Sequence, residues 1–157
     1  MAKRHASLVS LSHDHHHGLA LALRLRQGDQ ALLNDGWTHD RDEQARRVQQ
    51  FYENELRHHF RAEEEALFPA LETRSLRSAP IVATLRKQHR ELEQRIAALA
   101  QAHGDQLEHA LVALGALLEQ HIRIEERELF EIYQSDLNEE QKNAVGEAIR
   151  RSVAFRK

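Results

Sequence analysis

The chain contains no cysteine among its 157 residues. This excludes disulfides, thiolate-held iron–sulfur clusters and a thiol nucleophile, so any metal must be bound by nitrogen and oxygen. Proline and glycine are scarce, at 2 and 6 residues, which disfavours short strands joined by turns. No stretch has the roughly 18 apolar residues of a membrane span, and the N-terminus lacks a signal-peptide core. We expect a soluble, cytoplasmic, helical protein without a membrane partner.

Charge of one sign is not in large excess. Lysine and arginine total 22 and aspartate and glutamate 25, for a net charge of −3 with neutral histidines. A chain without a basic field is poorly suited to a nucleic-acid backbone, so we expect no nucleic-acid partner. Histidine, in contrast, is abundant at 12 residues.

Apolar residues recur at helical spacing in five segments. Four are long and joined by short polar connections, which predicts an all-α, antiparallel up-down-up-down four-helix bundle with a short fifth C-terminal helix. The length suits a single domain over residues 1–157, with the bundle over about 7–134 and the fifth helix over about 137–154. We find no internal repeat of fixed period.

Proline and glycine predict several helix boundaries. Gly28 should stop the first helix, before a loop containing residues 34–36, which include Asp35. Pro69 should end or kink the second helix, and Pro80 should begin the third. Gly104 suits the end of the third helix.

Acidic residues predict where three helices begin. Asp40 with Glu43, and Asp136 with Glu139, have the spacing of capping boxes before the second and fifth helices. Asp105 is the expected N-cap of the fourth helix.

One histidine lies in the middle of the apolar stripe of each long helix. Two of them are followed four residues later by a glutamate, in HFRAE and HIRIE, and residues at this spacing share a helix face. One cross-section of the bundle can contain all four histidines. The four histidines and the two glutamates are His15, His59, Glu63, His89, His121 and Glu125.

Burying two carboxylates with four imidazoles is costly unless something satisfies them. Two iron ions would do so, because carboxylates bridge the ions and neutral imidazoles cap each one while a coordination position stays open. A hydrogen-bonded core role explains a single histidine such as His89 equally well, but explains the six residues together poorly. The order and spacing differ from the Glu-x-x-His signature of ferritin-like di-iron proteins.

Neighbouring polar residues have simpler explanations. We expect His13, His16 and His17 to be solvated, and Glu64 and Glu126 to belong to a charged face unless the register slips by one residue. Glu55 could orient His59 or simply be solvated. Tyr52 is expected to pack in the core.

Four segments resemble the hemerythrin-like, or HHE cation-binding, domain family: LSHDHHHGL, HHFRAEEEALFP, LRKQHRELE and HIRIEERELF, in this order over about residues 8–133. The resemblance implies two non-haem iron ions, Fe2+ or Fe3+, with or without an oxo or hydroxo bridge, inside a four-helix bundle. It also implies that the six residues named above are the ligands. Members of this family bind oxygen reversibly, sense oxygen or redox state, respond to nitric oxide or reactive oxygen species, or handle iron.

The chain departs from the oxygen-carrying members of the family in the third helix. Those proteins have five histidine ligands, including a pair four residues apart, whereas His89 has Leu85 and Glu93 at those distances. Glu93 could replace the missing ligand, His16 or His58 could contribute, or one iron could keep a position for water or substrate.

We expect a hemerythrin-type di-iron protein that binds O2 or a related small oxidant at an open iron position. Its use would be oxygen or redox sensing, or iron and oxygen handling. One alternative is a di-iron redox enzyme acting on peroxide or nitric oxide, and another is a metal-dependent interaction module with a protein partner. No residue is assigned a catalytic role, and we favour a binding protein over an enzyme.

Overall fold

The computed structural model describes residues 3–34 and 36–153, so Asp35 of the predicted loop and the predicted helix end at 154 lie outside it. Within these ranges every regular element is helical, which confirms the all-α class and the four long helices with a fifth. The helices are α1 (Val9–Gln27), α2 (consecutive segments Arg41–Phe51, Tyr52–Leu56, Arg57–Ala62, Glu63–Leu67 and Phe68–Arg74), α3 (Ala79–Ala98), α4 (consecutive segments Gly104–Ile124, Glu125–Leu129 and Phe130–Asp136) and α5 (Glu139–Val153).

The beginning of α2 follows the sequence prediction in part. The Asp40 carboxylate accepts a hydrogen bond from the backbone N–H of Glu43 at 3.0 Å, as an N-cap should. The reciprocal bond of a capping box is absent, because the Glu43 carboxylate pairs with Arg46 and Arg47. The backbone N–H of Asp40 instead donates to the hydroxyl of Thr38.

Pro69 lies inside α2 rather than at its end, and the helix continues to Arg74. The segment just before it, Glu63–Leu67, is a π-helical turn with wider hydrogen-bond spacing. A π turn displaces the acceptor carbonyls by one residue, so a proline that lacks an N–H can be placed directly after it. The connection to α3 is consequently short, and Pro80 lies in the first turn of α3, as predicted.

Two of the predicted helix starts are wrong. Gly104 has a φ of +56° and is the first residue of α4, so that Asp105 lies inside the first turn instead of at the N-cap. At α5 the capping box is formed by Asn138 and Gln141, whose side chains each accept a hydrogen bond from the other residue's backbone N–H, at 2.8 and 2.9 Å. The Asp136 carboxylate instead accepts hydrogen bonds from Ser75 and Arg77.

The buried apolar residues form two clusters. Along α1, Leu11 belongs to one cluster and Ala22 to the other, with His15 between them in sequence. Along α3, Leu85 and Leu92 belong to different clusters and have His89 between them. The histidine positions therefore mark a polar layer that interrupts the core. Among the described residues, no helix has the length and apolar character needed to cross a membrane.

Candidate metal centre

The structure brings the six predicted side chains together in one buried cluster, and none exposes more than 3% of its surface. Their nitrogen and oxygen atoms form two groups, in each of which the atoms lie within 4.8 Å of one another. Glu63 and Glu125 belong to both groups. We call the group with His15 and His59 the first half, and the group with His89 and His121 the second half.

Each glutamate lies between one histidine of each half. Glu63 Oε1 is 2.9 Å from His59 Nε2 in the first half and 3.5 Å from His89 Nε2 in the second. Glu125 Oε1 is 2.7 Å from His121 Nε2 and 3.7 Å from His15 Nε2. The carboxylates are thus positioned as two groups shared by the halves, as bridging ligands would be.

Several of these buried atoms have no hydrogen-bond partner. Both carboxylate oxygens of Glu63 and of Glu125 lack one, as do Nε2 of His89 and Nε2 of His121. The short contacts between glutamates and imidazoles therefore lack hydrogen-bond geometry. An unsatisfied buried polar atom costs about 1–3 kcal/mol, and more when it is charged. A divalent cation would coordinate to these atoms. This set of nitrogen and oxygen donors therefore fits a hard or borderline metal ion.

The protonation of the centre is uneven. Burial alone would lower the pKa of His59, but the charge of Glu63 and the hydrogen bond to Asp14 outweigh burial and raise this pKa to about 9. Burial would raise the pKa of Glu63, yet the charge on His59 holds it well below its ordinary value. Burial, reinforced by the charge of His89, keeps the pKa of His121 well below its ordinary value.

Two residues hydrogen-bond to the Nδ1 atoms of the imidazoles on α2 and α4, on the side away from the centre. Each of these residues directly precedes a histidine, one on α1 and the other on α3. His59 donates a hydrogen bond from Nδ1 to the carboxylate of Asp14 at 3.0 Å. His121 donates from Nδ1 to the side-chain carbonyl of Gln88 at 2.8 Å. Such outer bonds fix the tautomer and leave Nε2 available for the metal. Neither Asp14 nor Gln88 was among the residues predicted to belong to the site.

Two glutamates approach the remaining imidazoles from outside, one through a hydrogen bond to His89 and the other as a close contact with His15 that is not a hydrogen bond. His89 Nδ1 donates to Glu64 at 2.8 Å, and His15 Nδ1 lies 3.4 Å from a carboxylate oxygen of Glu126. We expected both glutamates to belong to a charged face, but each approaches a histidine of another helix. Neither replaces Glu63 or Glu125 in the cluster, so the register does not slip.

Phenyl rings support two of the imidazoles. Phe60 stacks on His89 with ring centroids 3.8 Å apart, and Phe68 stacks on the same ring at 5.5 Å. Phe130 stacks on His15 at 5.6 Å. These rings restrict the rotation of the imidazoles and exclude water from the cluster.

A ten-residue pattern occurs twice and could have identified several of these residues from the sequence. HFRAEEEALF at 59–68 and HIRIEERELF at 121–130 share His, Arg, two adjacent Glu, Leu and Phe at the same positions. In both copies the first glutamate is in the centre, the second approaches a histidine of another helix, and the phenylalanine stacks on that same histidine. In both copies a π turn begins at the first glutamate, a feature frequent at functional sites.

The other candidate ligands are not in either half. Glu93 accepts a hydrogen bond from the hydroxyl of Tyr52 and pairs with Arg90. His16 is exposed and His58 is partly exposed.

Glu55 does not orient His59. Its carboxylate pairs with Nδ1 of His17 at 2.8 Å, and Asp14 takes the outer position on His59. His17 is half-exposed and its ring contacts His13. The two histidines are thus at the surface, as expected.

Comparison with known proteins identifies the family. A family profile described as hemerythrin HHE cation binding domain matches residues 7–133, which include all six residues of the centre. Neither the curated proteins nor the solved structures give a significant match. Because the match covers most of the chain and has the cluster within it, the chain belongs to the hemerythrin HHE cation-binding domain family.

Proposed function

We propose that the cluster binds two iron ions and that the protein binds O2 or a related small oxidant there, for oxygen or redox sensing or for iron and oxygen handling. One observation carries the proposal. Two groups of four side chains share Glu63 and Glu125, whose four carboxylate oxygens are buried without a hydrogen-bond partner. One ion in each half would satisfy these oxygens. It would also satisfy Nε2 of His89 and His121 in the second half, and in the first half it would replace the hydrogen bond that joins Nε2 of His15 and His59 at 3.1 Å.

Bound iron would supply Lewis acidity and reversible electron transfer toward a small oxidant. The protein's own part is to orient and to exclude water. The Nδ1 contacts of the four imidazoles hold each Nε2 toward the glutamates, and phenyl rings pack against two of the imidazoles. A site held in this way reorganises little when its charge changes.

A small cavity beside the first half is evidence in favour of a small ligand. Its volume is about 10 Å³, room for about one water-sized molecule. Its polar lining includes His15 and His59, and most of the remaining wall is apolar. Gly18 is part of this wall, and a Cβ there would lie 2.8 Å from Ile122 Cδ1. The space matches a molecule of about the size of water, which favours a very small ligand over an organic substrate.

We also propose the up-down-up-down topology, which would bring one histidine of each long helix to the same level along the bundle axis. Pairs between α1 and α4 run in opposite sequence directions, from Ser12 with Glu126 to Arg26 with Glu119. Pairs between α2 and α3 run likewise, from Glu72 with Arg86 to Tyr52 with Glu93. These pairs support an antiparallel arrangement of each pair of helices.

The test is anaerobic reconstitution with ferrous iron, followed by exposure to air and by removal of oxygen. We expect visible absorption bands that appear with oxygen and disappear when it is removed. Glu63→Ala should lose stoichiometric iron and the bands, because it removes a group shared by both halves. Glu65→Ala is the matched control, since this neighbouring glutamate is exposed and pairs with Arg61. Stoichiometric iron in Glu63→Ala would contradict the assignment, and rapid turnover of peroxide or nitric oxide would favour the redox enzyme.

One observation favours the alternative function, a metal-dependent interaction module with a protein partner. Helix α5 packs against the part of α2 that carries Glu63, and Val145 and Ile149 share an apolar cluster with Ala62 and Leu67. A change in the metal centre could therefore alter how α5 docks. Amide hydrogen exchange in α5 should then differ between metal-free and iron-loaded protein, whereas identical exchange would remove the structural basis for this function.

A further inference from the structure

The two halves of the centre have the same plan but differ in charge. In each half, Nδ1 of one histidine is hydrogen-bonded to a residue on another helix, and that residue directly precedes the second histidine of the same half. This partner is Asp14 for His59 in the first half and Gln88 for His121 in the second. A carboxylate therefore supports one imidazole where a neutral amide supports its counterpart.

The glutamates that complete the outer layer add to this difference. Glu64, beside His89 in the second half, is bound directly by the guanidinium of Arg90. Glu126, beside His15 in the first half, accepts hydrogen bonds from the hydroxyl of Ser12, and its nearest arginine, Arg4, is 3.8 Å away. The first half thus has two outer carboxylates, and the second half has one that is closely neutralised.

We propose that the two halves are inequivalent metal sites and that the first ion to bind occupies the first half. This inference rests on the proposed two-metal function. A carboxylate that accepts a hydrogen bond from a ligand imidazole makes the imidazole a stronger donor, and its charge attracts the cation in a partly buried site. Asp14 supplies both effects to the first half. In the second half Gln88 supplies only the hydrogen bond, and the charge of Glu64, which accepts a hydrogen bond from His89, is offset by the guanidinium of Arg90.

The experiment is a calorimetric titration of the metal-free full chain with Co2+ under argon, from which two stepwise dissociation constants are obtained. Asp14→Asn keeps the shape of the side chain and removes its charge. We expect it to weaken the first step by about 10-fold or more, in the range measured for outer-layer substitutions. Gln88→Glu should strengthen the second step and bring the two steps closer together.

Equivalent halves would give the opposite pattern. If the halves had equal affinity in native protein, the first ion bound by a weakened variant would occupy the half that the substitution does not affect. Asp14→Asn would then leave the first step unchanged and weaken the second, and Gln88→Glu would strengthen the first step. Either of these results would overturn the proposal, and so would a lack of effect in both variants.

A second pair of variants locates the first ion independently. His121→Ala should bind one Co2+ with the first constant of the native protein, whereas His59→Ala should bind one ion more weakly. Equal affinities in the two variants would also overturn the inequivalence. Glu65→Gln should leave both steps unchanged, and circular dichroism establishes that each variant is folded. If native protein does not bind two ions, the proposed function itself fails, which distinguishes that outcome from equivalence of the halves.

Discussion

At the scale of single residues, the centre depends on two glutamates that are buried without hydrogen-bond partners. Apolar burial alone would not retain such groups, because the desolvation of a charged carboxylate costs several kcal/mol. A metal ion would give them a coordination partner, whereas the nearest imidazole nitrogens, of His59 and His121, lie at 2.9 and 2.7 Å without forming hydrogen bonds to these oxygens. The unsatisfied oxygens therefore indicate a binding role rather than a structural one.

Close packing of α1 against α4 also depends on a single residue. A Cβ at Gly115 would lie 2.7 Å from the carbonyl oxygen of Ala22 and 3.0 Å from the backbone N of Arg26. Because backbone cannot move aside cheaply, Gly115→Ala should lower the free energy of unfolding by about 1–3 kcal/mol despite the higher helix propensity of alanine. Chemical denaturation measures the change.

The matched control is Gly18→Ala, where the added Cβ would meet the end of the Ile122 side chain at 2.8 Å and lie at ordinary contact distance, 3.9 Å, from the Phe51 ring. The Ile122 side chain can turn, so we expect a clearly smaller loss of stability than for Gly115→Ala. Equal losses in the two variants would show that backbone contact at Gly115 is not the cause.

The six positions that cluster in the structure could be predicted from the sequence, but most of the groups that contact them were not. His15 and His59 lie on apolar stripes, where their polarity is conspicuous. Asp14 and Gln88 act on imidazoles of other helices, and a single helix pattern contains no record of such contacts. Glu64 could have been found by aligning the two copies of the ten-residue pattern.

At the scale of secondary-structure elements, helix boundaries were the weakest predictions. Two adjacent capping patterns compete before α5, and Asn138 with Gln141 forms the box instead of Asp136 with Glu139. Asp136 is drawn away by Arg77 from the connection between α2 and α3, a contact that no local pattern contains. The continuation of α2 past Pro69 likewise depends on a π turn that helical spacing does not predict.

The cap of α5 can be tested directly. Asn138→Ala removes an acceptor for the backbone N–H of Gln141, and we expect a loss of about 1 kcal/mol in the free energy of unfolding. Glu139→Ala should cost less, because Glu139 is exposed and makes surface ion pairs with His5 and Lys142. A larger effect for Glu139→Ala in denaturant titrations would favour the box first predicted.

Asp136 makes the stability depend on pH. Hydrogen bonds from Arg77 and Ser75 lower its pKa from 3.8 to about 2. A lowered pKa in the folded state means that the stabilisation is complete well above pH 3.8 and is lost as the pH falls through about 2. Asp136→Asn should therefore destabilise the protein by about 1 kcal/mol or less at pH 7, since solvent screens this surface pair.

The difference in free energy of unfolding between native protein and Asp136→Asn should shrink on acidification and be nearly absent at pH 2. Denaturant titrations at a series of pH values give this difference. A difference that stayed constant between pH 7 and pH 2 would mean that the charge of Asp136 contributes nothing to its bonds.

At the scale of the whole molecule, a polar centre lies between two apolar clusters. The helix number followed from the apolar spacing, because four long periodic segments with few breaking residues leave little choice of class. The single domain and the cytoplasmic location stay predictions, since neither depends on the spacing of side chains. The physiological use of the centre depends on partners that an apolar pattern does not encode.

The central claim is that the six buried side chains hold two metal ions, and crystallography of iron-loaded protein tests it most directly. Anomalous diffraction at the iron absorption edge should show two peaks. One should be enclosed by the first half and one by the second, with Glu63 and Glu125 contacting both. A single peak, or strong peaks only outside the two halves, would contradict the account.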